Sequence, residues 1–228
     1  MNFFKSLFQK KAESIIDIDT IMESEVTGSE PINFGEKSVW VCVKTNDIRE
    51  LLASYQLKEL RKDNWLEAFK RDDCVFCAGP IGDWVIQYGF SQRLPNYNIG
   101  MDEIHEYLNQ LSAKFSEAHY YLCQRTTDTA IWVKSIKGKI ERSYCISDGV
   151  FYQSGKLTEV EKDIGISNKH ISELSDEQAE QYLLPGIDEV LRVADNWSLN
   201  PNELKANNQV PRYGYLLTPS NRVLELKK

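Results

Sequence analysis

Between His119 and Gln153 the chain reads HYYLCQR, AIWVKSI, IERSYCI and VFYQ, separated by Thr127-Asp128, Lys137-Gly138 and Asp148-Gly149. No other stretch constrains the fold as tightly. Runs rich in β-branched and aromatic residues suit a pleated surface. Connections this short cannot carry the chain back to the start of a parallel strand, so neighbours must pair antiparallel. Asp-Gly adds a strong hairpin signal, because both residues tolerate positive φ. The expectation is a four-stranded meander.

The flanking segments supply its partners. SVWVCVKT, from Ser38, alternates and reads as a strand. NDIRELLASYQLKELRKDNWLEAFKRDD reads as one or two helices, with Asn46 or Asp47 as N-cap. Cys74–Ala78 and Trp84–Tyr88 form a hairpin whose Gly79, Pro80 and Gly82 suggest a loop longer than two residues. Met101, Ile104, Leu108, Leu111 and Phe115 recur at helical spacing and form a stripe that must be buried. Thr158 and Glu161 have capping-box spacing. Val190, Val193 and Trp197 share one face of a last helix, and VPRYGYLL adds an edge strand. Residues 1–36 read as a polar N-terminal segment, and residues 37–228 as a single α+β domain. Its antiparallel sheet (the hairpin plus the four-stranded meander) is expected to be covered by helices on one side.

Composition narrows the chemistry. With 228 residues, 42% of them hydrophobic, the chain can bury a sizeable core. A net charge of −7 without a basic cluster argues against nucleic acid as a partner. No apolar run approaches the ~18–20 residues of a membrane span. The opening MNFFKSLFQKK is interrupted by Lys5 and Ser6, so it reads as a loosely packed helix rather than a secretory signal. Five cysteines, an odd and sparse set, suit reduced thiols in a cytoplasmic protein.

Cys74 and Cys77 form a C-x-x-C pair within a strand. Residues i and i+3 of a strand face opposite sides and lie about 10 Å apart, beyond the ~7 Å a disulfide tolerates. No helix follows to lower a thiol pKa, and a structural zinc would need two further ligands. Both are therefore read as strand thiols, one of them facing the core. His105, His119 and His170 stand singly, outside any catalytic frame. The glycines form no phosphate cradle. No catalytic residue, metal ligand or cofactor is assigned.

Charge is more informative. From Leu157 to Trp197 ten acids face three bases, a local net of −7 that equals the whole chain's. Such a field steers a basic protein partner, with Glu173, Asp176, Glu177, Glu180, Asp188 and Glu189 as candidate contacts. A separate candidate pocket would gather Trp84, Tyr121, Trp132 and Tyr144 with the polar groups of His119, Arg125 and Asp128.

The GPIGDWV turn at 79–85, the following helix, the meander and DEVLRVADNWSLNP at 188–201 together resemble an uncharacterised family of bacterial proteins. The resemblance spans roughly residues 40–201 and implies a bacterial origin and a single domain, without an activity. The leading expectation is a non-enzymatic cytoplasmic binding protein, such as an immunity-type inhibitor that blocks a toxic nuclease through an acidic face. The alternative is an enzyme or small-molecule-binding domain with an aromatic pocket on the sheet.

Overall fold

The computed structural model describes residues 16–89, 93–96, 100–147, 150–167, 173, 175 and 185–227. The strands are β1 (Ser38–Lys44), β2 (Leu57–Asn64), β3 (Val75–Ile81), β4 (Trp84–Gly89), β5 (Glu117–Gln124), β6 (Thr129–Ile136), β7 (Lys139–Ser147), β8 (Val150–Gly155) and β9 (Tyr213–Pro219). The helices are α1 (Ile18–Glu23), α2 (Ile48–Ala53), α3 (Trp65–Ala68), α4 (Met101–Phe115), α5 (Glu159–Asp163) and α6 (Ile187–Trp197). All nine strands join one sheet in the order β2-β9-β3-β4-β1-β5-β6-β7-β8. Every neighbouring pair is antiparallel. An antiparallel sheet in a mixed α+β architecture is therefore present, with the sheet dominant.

The meander occupies β5 to β8. Lys137 and Gly138 take φ of 49° and 81°, the paired positive values that a tight hairpin requires. Asp47 caps α2 by accepting from the Glu50 amide at 2.9 Å. Ile104, Leu108, Leu111 and Phe115 of α4 are buried against the sheet.

Four expectations need correction. The segment read wholly as helix contains β2, between α2 and α3. Leu57 and Leu60 alone interrupt its charges, a pattern too sparse to show a period of two. The segment read as an edge strand, β9, lies between β2 and β3 and pairs with both. The β3–β4 turn is a two-residue one, since Ile81 pairs with Trp84 across Gly82-Asp83, and Gly79 and Pro80 fall in an irregular stretch of β3.

The largest correction concerns the layers. Helices cover both faces of the sheet, so alternate residues of each central strand enter different cores. Val39, Val41, Tyr120, Leu122, Ile131 and Val133 pack with α2 and α4 on one face. Trp40, Tyr121, Trp132 and Tyr144 pack with α5 and α6 on the other. Cys77 joins the first core and Cys74 the second. The strand geometry that separates the two thiols thus buries both. Residues 16–36 wrap the β2 edge. Ile18 and Ile21 pack on the α4 face, whereas Ile32 and Phe34 pack on the α6 face. Between them the Lys62 ammonium donates to the Met22 and Ser24 carbonyls, each at 2.9 Å. These contacts occupy an edge that would otherwise offer unpaired backbone.

On the α6 face, cross-strand register places Phe76, Tyr88, Trp40, Tyr121, Trp132 and Tyr144 side by side across six adjacent strands. Trp40 stacks on Tyr121 at 5.2 Å between ring centroids, and Trp132 on Tyr144 at 4.2 Å. Such cross-strand pairs stabilise a sheet beyond the area they bury. Gly214 of β9 makes room for this row, since a Cβ there would lie 2.5 Å from the Cys77 carbonyl oxygen and 2.6 Å from the Phe76 ring. Gly214→Ala is expected to destabilise the fold by about 1–3 kcal/mol, read as a lower urea midpoint with an unchanged m-value. An unchanged midpoint would contradict this packing.

Candidate functional site

Beside the aromatic row lies a polar one. Strand alternation puts Glu117, His119 and Tyr121 on the same face of β5. Cross-strand pairing adds Cys42 and Lys134 on either side of His119, and the Lys44 ammonium reaches Glu117. The C-terminal end of α6 closes over them with Trp197 and Ser198.

Glu117 collects the charges. Its carboxylate lies 2.9 Å from His119 Nε2, 3.1 Å from Lys134 Nζ and 3.3 Å from Lys44 Nζ. His119 Nδ1 lies 3.3 Å from the Tyr121 hydroxyl, which lies 2.9 Å from Ser198 Oγ. The partners assign the proton positions. An ionised carboxylate only accepts, so His119 carries its proton on Nε2 and accepts at Nδ1 from Tyr121. Tyr121, having donated, accepts from Ser198. The result is a directed chain from Ser198 through Tyr121 and His119 to Glu117.

The chain is walled by aromatic rings. Trp84 and Trp197 lie 4.8 and 5.6 Å from the imidazole. Lys44 sits over the Trp84 ring at 5.6 Å and Lys134 over Trp197 at 5.4 Å, distances typical of cation–π contact. His119 is fully buried. Burial pushes it down to about 4, opposed by the Glu117 hydrogen bond and reinforced by the Lys134 charge. The hydrogen bond from His119, together with Lys134, holds Glu117 down to about 2. Burial raises Tyr121 well above its ordinary range. It also pushes Cys42 up to about 12, against hydrogen bonds involving Ser198 and Leu199. At neutral pH the set therefore holds an ionised Glu117, a neutral His119 imidazole and a protonated Tyr121 hydroxyl.

Glu117, at one end, keeps 15% of its side chain exposed, and the Ser198 end meets an opening. A pocket of about 460 Å³ is lined by Asp195, Ser198, Asn200, Glu203 and Asn207, among others. A larger one of about 670 Å³ lies between α4 and the C-terminal segment, with Glu103, Glu106 and Glu225 on its walls. Beneath it Tyr107 donates to Gln87 at 3.0 Å, and Gln87 donates to Tyr55 in turn.

A second polar cluster is fully enclosed. Glu161 accepts at one oxygen from Arg142 Nε and Trp132 Nε1, each at 2.7 Å. At the other it accepts from the Thr158 amide and hydroxyl, each at 2.8 Å. The capping box read from sequence is present, and its glutamate also anchors the helix layer to the sheet.

The seven candidate pocket residues therefore divide. Trp84, His119 and Tyr121 meet at the polar chain. Trp132 and Tyr144 stack beside the Arg142–Glu161 pair. Arg125 and Asp128 lie in the turn after β5, with Arg125 exposed and 3.7 Å from Glu36. Among the acidic candidates, Asp188 and Glu173 are exposed. Glu189 accepts from the Gly186 amide at 2.8 Å and so caps α6. Asp176, Glu177 and Glu180, like His170, lie outside the described residues. All five cysteines are buried and unbridged, and no metal-holding group of three occurs among the described residues. Sequence reasoning missed Ser198, Lys44, Lys134 and Glu117. The alternation Glu117-x-His119-x-Tyr121 was the available signal, but Ser198 lies 77 residues from Tyr121.

In comparisons with known proteins, no family model, curated protein or solved structure matches this chain. None of the comparisons confirms the family that its motifs suggest. No described helix is long and apolar enough to cross a membrane.

The buried imidazole makes stability depend on pH. His119 has a folded value of about 4, below its ordinary 6.5, so the unfolded chain binds the proton more readily. Stability falls as pH drops from 6.5 towards 4, by about 3 kcal/mol in all. Glu117 has the opposite origin, and its contribution is lost only below about 4.5. Partial burial also lowers the half-buried His105, so the test is a difference. His119→Gln is expected to flatten the fall in urea midpoint between pH 7 and 5. Parallel profiles for variant and wild type would contradict the assignment.

Proposed function

We propose that this is a binding protein that docks a basic protein partner on the acidic side of the α5–α6 layer. An immunity-type inhibitor in the cytoplasm of a bacterium is the concrete version. One observation supports it above others. Asp163, Asp188 and Asp195 are exposed on this layer and form no ion pair among the described residues. Three other acids of the same region are already engaged: Glu161 with Arg142, Glu159 with Lys162 and Glu189 as a cap. Among the described residues, Glu173 is a further exposed acid of this region. Arg192 is the exposed base within α6. Exposed charges of one sign accelerate association with an opposite surface and make it salt-dependent.

A second reading, a small-molecule or enzymatic site, is favoured by the polar chain ending at Ser198. It does not extend along the aromatic row, because Trp40, Tyr121, Trp132 and Tyr144 have no exposed surface.

The test is binding to the purified product of the neighbouring gene and to proteins captured from the native host. Submicromolar binding is expected, weakening at least about tenfold with Asp163→Lys, Asp188→Lys and Asp195→Lys combined, and falling as salt rises. Binding that ignores both salt and the triple reversal, or no partner of micromolar affinity, would overturn the proposal.

A further inference from the structure

The geometry points to Ser198 as a nucleophile, activated through Tyr121 by the His119–Glu117 pair, acting on small carboxylic esters held in the adjoining pocket. This goes beyond the binding role and does not depend on it.

Three observations combine. The first is the direction of the chain. From Ser198 Oγ to Tyr121, at 2.9 Å, and from Tyr121 to His119 Nδ1, at 3.3 Å, each donor faces an acceptor, and the last proton faces a carboxylate at 2.9 Å. An acid–imidazole–hydroxyl series is how proteins make a weak hydroxyl nucleophilic. Here a tyrosine hydroxyl extends it by one link. The second is access, because Ser198 alone of the four lines the 460 Å³ pocket, a volume within the range of small-ligand sites. The third is the pocket's donors. The Asn200 side-chain oxygen accepts from the Asn202 amide, and that of Asn207 from the Gln209 amide, each at 2.9 Å. Asn200 Nδ2 donates to Glu203 Oε1 at 3.5 Å, which leaves the Asn207 carboxamide, its oxygen held, to offer N–H groups to an ester oxygen. Asp195 and Glu203 on the same walls suit a hydroxyl-bearing substrate and disfavour an anionic one.

The step balances without a redox partner. Ser198 Oγ bonds to the ester carbonyl carbon, and the carbonyl π pair moves to oxygen. The Ser198 proton passes to Tyr121 as the Tyr121 proton passes to His119 Nδ1. Glu117 holds the resulting imidazolium. Collapse breaks the C–O bond to the alcohol, which leaves with a proton returned along the chain. Water then hydrolyses the acyl-serine by the same route.

A chain that merely satisfies buried polar atoms would show none of this reactivity. The test treats the full-length protein with a fluorophosphonate probe, maps the adduct by mass spectrometry, and follows p-nitrophenyl acetate hydrolysis in parallel. One adduct on Ser198 is expected, absent in Ser198→Ala. Tyr121→Phe and Glu117→Gln should unfold cooperatively and yet label at least about 100-fold more slowly, the scale of general-base assistance. Ser198→Ala should leave binding to a protein partner unchanged, which separates this site from the docking face. Folded wild-type protein without an adduct at Ser198, or labelling as fast in Tyr121→Phe, would overturn the proposal. Wild-type labelling decides the matter even if a β5 variant fails to fold.

Discussion

The Glu161 carboxylate joins the two parts of this molecule. Neither it nor Arg142 is accessible to solvent beyond 1%, and removing two such charges from water costs several kcal/mol each. The structure offsets that cost by filling the coordination of both groups. Glu161 takes four donors, two from the sheet and two from its own helix cap. Arg142 also reaches the Ser154 carbonyl and Gln153, each at 3.1 Å. Because one oxygen serves the sheet and the other the start of α5, the helix layer cannot shift without breaking a buried charge pair. The stack of Trp132 on Tyr144 lies directly under this junction.

The two faces of the sheet differ in what they bury. Under α4 the core is mostly aliphatic, with one enclosed Tyr55–Gln87–Tyr107 network. Under α5 and α6 an aromatic row lies beside a polar row, and both run across the strands. Aromatic rings exclude water from His119 and Tyr121, so hydrogen bonds there are strong and an unpaired charge would be costly. Lys134 and Lys44 settle on Glu117, and His119 stays neutral. The row reaches the surface at Glu117 and the two lysines on one side and at Ser198, beside the acidic helix, on the other. A docking face and a reactive hydroxyl would thus share α6 and have Asp195 in common, while the hydrogen-bonded chain belongs to the second alone.

Local features were legible in the sequence. The meander, its Lys137-Gly138 turn, the α4 stripe and the Thr158–Glu161 box rest on contacts within a few residues. Features that depend on strand order were not. β2 carries mainly charges because it is an edge, and edge strands tolerate charge. β9 has a single glycine for a reason visible only once Phe76 lies beside it. Burial of both sheet faces made both Cys74 and Cys77 core residues. The aromatic row needs a register across six strands, although Tyr121, Trp132 and Tyr144 were already singled out by type. Glu161 was counted with the surface acids because spacing alone cannot reveal a distant arginine.

The central claim is that Arg142 and Glu161 act as one buried unit. A double-mutant cycle with Arg142→Met and Glu161→Gln, read by urea unfolding, tests it directly. Each single change should cost about 3–5 kcal/mol by stranding its partner. The double variant should cost clearly less than their sum, with a coupling energy of at least ~1–3 kcal/mol. Additive effects, or single changes that cost under about 0.5 kcal/mol, would show that the helix layer is held without this pair.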